Sequence, residues 1–416
     1  ELGLADDWLQ CDTWLQALAA QPAQGPWVLR NVVHQAGLFS SSGSAQLHMR
    51  PVCAQDAASA APAAPALVLR YRISHLPTRS SLGQFTWALT PNSASNGEPA
   101  ILTASGEVGF DGALQTDMAL PAWAYGAGAQ TLTFAPSKGQ LRLDGKAMAL
   151  QWAVDDIAFK GRDAVLDLHG ARISVSSSDL DRAVGSVELG VDAASSGATS
   201  LQGLGIRSEM REVAERLNYK HSVSVRSLLW MGRTLSDVAL ESAVTGLHAK
   251  SAQALATLFS ANCGFADLRP DQSALARQAM KTLLATGFSI GIPSLKARDA
   301  DASVDAHLLL ELLPSSSGEV ALAQQLKSSG QIVVKGGMLS AEQAQMAMQS
   351  GYVQEVPGGL KMGYRYAAGA LTVGDKSLDA SLVPVVLTRF DQAMNDLLAP
   401  EGKAQRVVAN EPASSP

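Results

Sequence analysis

The chain has 416 residues, room for two or three structural units of roughly 150 residues each or for one large β-rich body. With 47% hydrophobic and 17% charged residues, against about 25% charged in an ordinary globular protein, it falls outside the disordered class and can bury a core without disulfide or metal staples. A net charge of −6 with no Lys/Arg cluster argues against a nucleic-acid partner, and 5% aromatic residues leave little for base-stacking platforms.

The first 26 residues read as a helix. Leu4, Trp8, Cys11, Leu15 and Leu18 recur every three or four positions on one face, and Pro22, Gly25 and Pro26 end it. Residues 27–49 read as two strands around a Ser/Gly turn near Ser41 to Gly43. The Ala/Pro-rich stretch 54–66 has nothing large to bury and reads as a flexible loop. From residue 67 to about 246 short strand-like segments follow one another with Gly, Asp or Pro between them. Parallel strands would need crossover helices, so this spacing predicts antiparallel hairpins and one β-rich body over 27–246. Its last two strands, 220–230 and 233–247, are joined by Met231 and Gly232.

Residues 247–399 read as a mixed helix and hairpin region. Residues 250–262 form a helix. Residues 271–286 form another, with Asp271 as N-cap, Leu275, Ala279 and Leu283 on one face, and Gly287 as the stop. In 299–312 the even positions run from Ala300 through Val304 to Leu308, Leu310 and Leu312, and the odd positions hold Asp299, Asp301, Ser303, Asp305, His307, Leu309 and Glu311. That period of two marks a strand with one wet face. A later helix opens at Ser340, with Gln343 three positions on as a capping box, and closes at Gly351. A final hairpin precedes a helix from about Pro384, with Val386, Phe390, Met394 and Leu397 facing inward, and 400–416 reads as a disordered tail.

Chemistry-bearing motifs are missing. The chain has no HExxH and no C-x-x-C, and the glycines around Gly139 and Lys146 have the wrong spacing for a phosphate loop. Asp299, Asp301 and Asp305 lack the glycine of a calcium loop and are explained by strand alternation. The seven histidines show no ligand-pair spacing. Neither an enzyme, a cofactor nor a metal is expected. The three cysteines, Cys11, Cys53 and Cys263, fit buried thiols or a Cys11–Cys53 bridge.

One positive signal remains. In 148–154 and again from Leu228 to Trp230, both strand faces carry apolar residues. Such strands are covered on both sides by ordinary packing, or they line an apolar groove for acyl chains. If they form a groove, Trp152, Leu228, Trp230 and Leu310 are its candidate ligand-binding residues.

Several segments resemble the YdgA/YihF-like proteins of Gram-negative bacteria. In VVHQAGLFSSSGSAQLHM, Gly37, Leu38, Phe39, Ser40 and Ser41 stand where that family shows a GWFSS turn, with Leu38 in place of Trp. Near the other end, Gly369, Leu371, Thr372, Val373 and Lys376 match a G-x-L-T-V-N-G-K ending, with Gly374 and Asp375 replacing Asn-Gly. VTGLHAKSAQALATLF is similar to the family's strand-to-helix passage, and the helix at 271–286 followed by IGIPSLKARDADASVDAHLLLEL to its helix and long strand pair. The resemblance spans nearly the whole chain. It implies a membrane anchor just upstream of Glu1, a periplasmic body tethered to the inner membrane, and a domain of unknown function with no catalytic residues to carry over.

The expectation is a mainly β protein with helices (α+β), built of long curved antiparallel sheets packed by an N-terminal helix and several C-terminal helices. Its expected role is a non-enzymatic cell-envelope protein that binds lipid or another apolar ligand in a β-lined groove. The alternative is a periplasmic scaffold that docks another envelope protein or a second copy of itself.

Overall fold

Alternation of apolar and polar residues dominates the chain, and it folds into long antiparallel strands joined by short turns. The computed structural model describes residues 27–49, 67–91, 100–127, 130–162, 165–180, 182, 184–262, 264, 268–315, 320–378 and 382–397. The predicted helix over 1–26, the loop 54–66, the three cysteines and the tail from 400 lie outside the described residues. The chain divides into two units, Glu1–Gly197 and Ala198–Pro416, a division that falls inside the stretch the sequence reads as one body.

The first unit is all strand among its described residues. It contains β1 (Trp27–Gln35), β2 (Ser40–Met49), β3 (Leu67–Ser74), β4 (Ser81–Pro91), β5 (Leu102–Gly109), β6 (Leu114–Leu120), β7 (Trp123–Ala127), β8 (Gln130–Phe134), β9 (Ser137–Asp144), β10 (Ala147–Lys160), β11 (Val165–Asp179) and β12 (Val184–Ser196). Neighbours pair antiparallel in the order β1, β2, β3, β4, β5, β6, β9, β10, β11, β12. The β7–β8 hairpin joins through β8 to the far half of β10. The expected turn at Ser41 to Gly43 is corrected. Those residues lie inside β2, where Ser42 pairs with Gln35 and Gly43 with His34, and the chain reverses over 36–39. Gly43 is needed in the strand because the Tyr71 ring lies where its side chain would be.

The second unit holds β13 (Thr199–Val213), β14 (Arg216–Trp230), β15 (Arg233–His248), α1 (Ala249–Asn262), α2 (Pro270–Thr286), β16 (Phe288–Asp299), β17 (Ala302–Leu312), α3 (Leu322–Gln325), β18 (Leu326–Lys335), α4 (Ala341–Ser350), β19 (Val353–Val356), β20 (Gly359–Ala367), β21 (Ala370–Val373), β22 (Lys376–Leu378) and α5 (Leu382–Leu397). Its sheet is an antiparallel meander from β13 through β18 and on to β20, β21 and β22, with β19 also on β20. Met231 and Gly232 make the β14–β15 turn with φ of 50° and 76°, the left-handed pair that matches strand twist.

Three helices, α1, α2 and α3, gather at one end of this sheet, with α5 against α3. α1 leaves β15 directly and α2 runs into β16, and the Arg216 guanidinium ties the two connections by donating to the carbonyls of Gly246 at 2.8 Å and Gly287 at 3.3 Å. Buried Gln325 donates to the carbonyls of Leu313 at 2.6 Å and Leu284 at 3.3 Å. Leu217, Leu312 and Tyr366 are buried at this end.

Two helix ends follow local rules and two details differ from expectation. α4 carries the predicted capping box, with Ser340 Oγ accepting from the Gln343 N–H at 3.2 Å, and Gly351 closes it at φ 70°. α2 ends at Gly287 as predicted, but its N-cap is Arg269. Pro270 takes the first helical position and Asp271 sits in the first turn. α5 is turned over relative to the prediction. It buries Asp391, whose carboxylate accepts from the N–H groups of Leu322 at 2.7 Å and Ala323 at 3.2 Å, and Asn395 brackets Val320. Val386 and Phe390 are 64% and 50% exposed. The open N–H groups at the start of α3 need an acceptor, and that demand outweighs the apolar stripe.

Candidate functional site

Residues directly opposite each other in an antiparallel ladder put their side chains on one face. In the second unit this rule traces one apolar face across the sheet. One row runs Met210, Tyr219, Val244, Ile290, Leu310 and, past Ser328, Tyr366 and Leu371. A second runs Ile206, Val223, Leu240, Leu295, Ala306, Ile332 and Met362. The opposite face is polar: Lys220 pairs with Glu241 at 3.2 Å and Lys296 lies 3.9 Å from Asp305.

Where the helices gather, the apolar face is buried. Farther along the strands it is open. Ile290 is 46% exposed, Met362 41% and Leu308 40%, and Leu295 and Leu310 are also exposed. These residues are contiguous through the pairs Ile290–Leu310, Ile292–Leu308 and Ile332–Met362. The patch exceeds the scattered single exposures that any surface tolerates.

Some polar side chains on this face bond to one another. Ser208, His221 and Ser242 form a row between the two apolar ones. The Tyr219 hydroxyl donates to Ser208 Oγ at 3.3 Å, and Ser208 Oγ lies 2.8 Å from His221 Nδ1. The rings of Tyr219 and His221 stack, 6.4 Å between centroids and 9° between planes. Farther on, the Tyr364 ring lies over Gly330 and its hydroxyl bonds Ser328 Oγ at 2.8 Å.

The first unit repeats the arrangement. Gly43, Tyr71, Trp87, Ala104, Met118, Gly139, Trp152, Ile173 and Leu189 lie in one row over nine strands. Met118 and Ala104 are buried, whereas Leu189 and Val187 on β12 are exposed. A concavity of about 560 Å³ on this unit, lined by Thr103, Ala119, Lys138 and Ala153 among others, lies on the other face.

The four predicted groove residues divide between the two units. Trp152 belongs to the first unit. It is half-buried, its indole N–H donates to Ser137 Oγ at 3.1 Å, and its ring occupies the space a side chain at Gly139 would take. Its strand is one-faced: Leu150, Trp152 and Val154 are half-buried while Ala149, Gln151 and Ala153 are exposed. Leu228 pairs with Leu201 and Leu235, and Trp230 with Arg233, at the β14–β15 hairpin tip. Leu310 lies level with Tyr219, so roughly 30 Å of strand separates it from Leu228 at about 3.4 Å per residue. Of the four, Leu310 alone is part of the open face of the second unit described above. Ile290, Leu295, Leu308, Met362 and His221 were not singled out from the sequence. Only Leu308, on the same parity as Leu310, carried a readable signal, because the others are assembled by register.

Among the described residues no group of three or more His, Cys, Asp or Glu side chains is placed to hold a metal ion. No helix among them is long and apolar enough to cross a membrane. A family model, DUF945, described as a bacterial protein of unknown function, matches residues 12–341. No curated protein and no solved structure matches the chain.

Proposed function

The chain belongs to DUF945, a family of bacterial proteins of unknown function, and from that premise we propose that it is a non-enzymatic cell-envelope protein holding lipid or another apolar ligand on the open face of its second unit. The observation that carries this reading is the contiguous exposure of Ile290, Leu295, Leu308, Leu310 and Met362 on a face whose reverse is charged. Each methylene withdrawn from water there contributes about 0.8 kcal/mol, so a long acyl chain laid on the patch is held without any charged contact. The Gly37–Ser41 turn and the Gly369–Lys376 ending support the finer placement among the YdgA/YihF-like proteins. With that placement come a periplasmic body and a tether to the inner membrane.

A second reading is a scaffold that docks another envelope protein or a second copy. It is favoured by the openness of the patch and by the outward apolar side of α5, where Val385, Val386 and Phe390 are exposed. Native mass spectrometry of the purified, detergent-free chain, followed by organic extraction, separates the two. A stoichiometric co-purifying lipid supports the ligand-holding role. A ligand-free dimer supports the scaffold and contradicts it.

A further inference from the structure

We propose that the concavity on the first unit is a binding site for a small zwitterion of dipeptide size, which sets its carboxylate on Lys138 and its ammonium on Asp155. The site lies within the first unit, and the proposal does not rest on the role given to the second.

The concavity follows from the path of the strands. One edge of β10 pairs with β9 from Ala147 to Val154 and with β8 from Ile157 to Lys160, so its ladder is interrupted at Asp155 and Asp156. The chain leaves β6 at Pro121 and returns to β9 from Pro136, and both prolines line the opening. Neither has an N–H with which to continue a ladder, so the sheet forks here. Thr103, Ala119, Lys138 and Ala153 form one row across the fork, over β5, β6, β9 and β10. The short side chains of that row leave a hollow of about 560 Å³, within the range of roughly 300–1,000 Å³ usual for small-molecule sites.

Two charges of opposite sign border the hollow. Lys138 is directly opposite Ala153, and Asp155 is two residues farther along β10 on the same face. Diagonal neighbours of this kind lie about 7–8 Å apart at the backbone, within reach of a long side chain. Yet among the described residues neither Lys138 nor Asp155 has an ionic or hydrogen-bond partner, and both are exposed. The charges around them on this face are matched. Asp117 accepts from Gln140 at 3.0 Å, Arg142 lies 3.7 Å from Asp144, and Arg172 pairs with Asp192.

This arrangement selects the ligand. An anion alone would meet Lys138 but also the Asp155 carboxylate, and a cation alone would meet the reverse repulsion. A molecule carrying both charges meets each with its opposite. One peptide unit between a terminal ammonium and a terminal carboxylate, with Cα atoms about 3.8 Å apart, gives the two charges a comparable span. Short side chains on such a unit rest on Ala119, Ala153 and Pro121.

The test titrates three probes into the whole chain: L-alanyl-L-alanine, its N-acetyl form, which lacks the ammonium, and its C-terminal amide, which lacks the carboxylate. Wild type binds the dipeptide about tenfold more tightly than either blocked form, the worth of one hydrogen bond to a charged group. Lys138→Gln binds the dipeptide and its amide equally, and Asp155→Asn binds the dipeptide and its N-acetyl form equally. Ala153→Phe, which fills the hollow and leaves both charges in place, binds none of the three. All three positions are exposed, circular dichroism checks the fold of each variant, and the two charge variants carry the test if Ala153→Phe does not fold. Equal binding of all three probes by wild type, or binding of none, overturns the proposal. So does a tenfold preference retained in either charge variant, or an unchanged dipeptide affinity in a folded Ala153→Phe chain.

Discussion

At the scale of single residues, the structure rests on positions where backbone or space is tightly specified. The β13–β14 turn uses Ala214 and Glu215 at φ of 51° and 61°, a left-handed pair that glycine would adopt without steric cost. Ala214→Gly is therefore expected to raise stability by roughly 0.5–1 kcal/mol, read as a higher denaturant midpoint at constant slope. Gly139 shows the reverse case, because the Trp152 ring fills its side-chain space. Gly139→Ala should cost about 1–3 kcal/mol and shift Trp152 fluorescence as the ring is displaced; an unchanged midpoint would show that the ring has room to move. Neither position could be found in the sequence. Ala214 and Glu215 are not turn-forming residues by type, and the pairing of Gly139 with Trp152 is a product of register. Met231–Gly232 was legible because its Gly stands between two strongly patterned strands.

At the scale of elements, the sequence was readable wherever the controlling interaction is local. The α4 box at Ser340 and Gln343 and the closing Gly351 lie within the helix's own chain, so they could be read directly. The even-odd pattern of β17 likewise set its two faces, although Leu308 and Leu310 on the apolar side turned out to be exposed. α5 shows the limit. Its apolar stripe predicts Val386 and Phe390 inward, but its orientation is set by Asp391 meeting backbone donors of α3 far away in sequence. Asp391→Ala removes that acceptor and leaves two N–H groups to solvent or strain. It should cost about 1–2 kcal/mol and speed hydrogen exchange selectively in α3 and α5. Uniform exchange changes across the whole unit, or none, would contradict the anchoring role.

At the scale of the whole chain, the expected class, a mainly β protein of antiparallel sheets with helices, is what the structure contains. The apolar signal was legible strand by strand, but its assembly into a face was not. Leu228 and Leu310 look equivalent as apolar residues on long strands, yet the ladder sets them roughly 30 Å apart along the strand direction. Ile290 and Leu310 lie far closer in space because β16 and β17 pair in one register. The claim that the open face of the second unit holds the ligand is tested most directly by lipid retention. Wild type, Leu308→Asp/Leu310→Asp and Leu228→Asp chains would be purified without detergent and their native masses and extracted lipid compared. Leu308 and Leu310 are exposed and tolerate such changes without unfolding, whereas Leu228 is half-buried, so circular dichroism is the check on each variant. The account predicts stoichiometric lipid in wild type and in Leu228→Asp and none in the double variant. Lipid retained by the double variant, or a ligand-free wild-type chain, would contradict it.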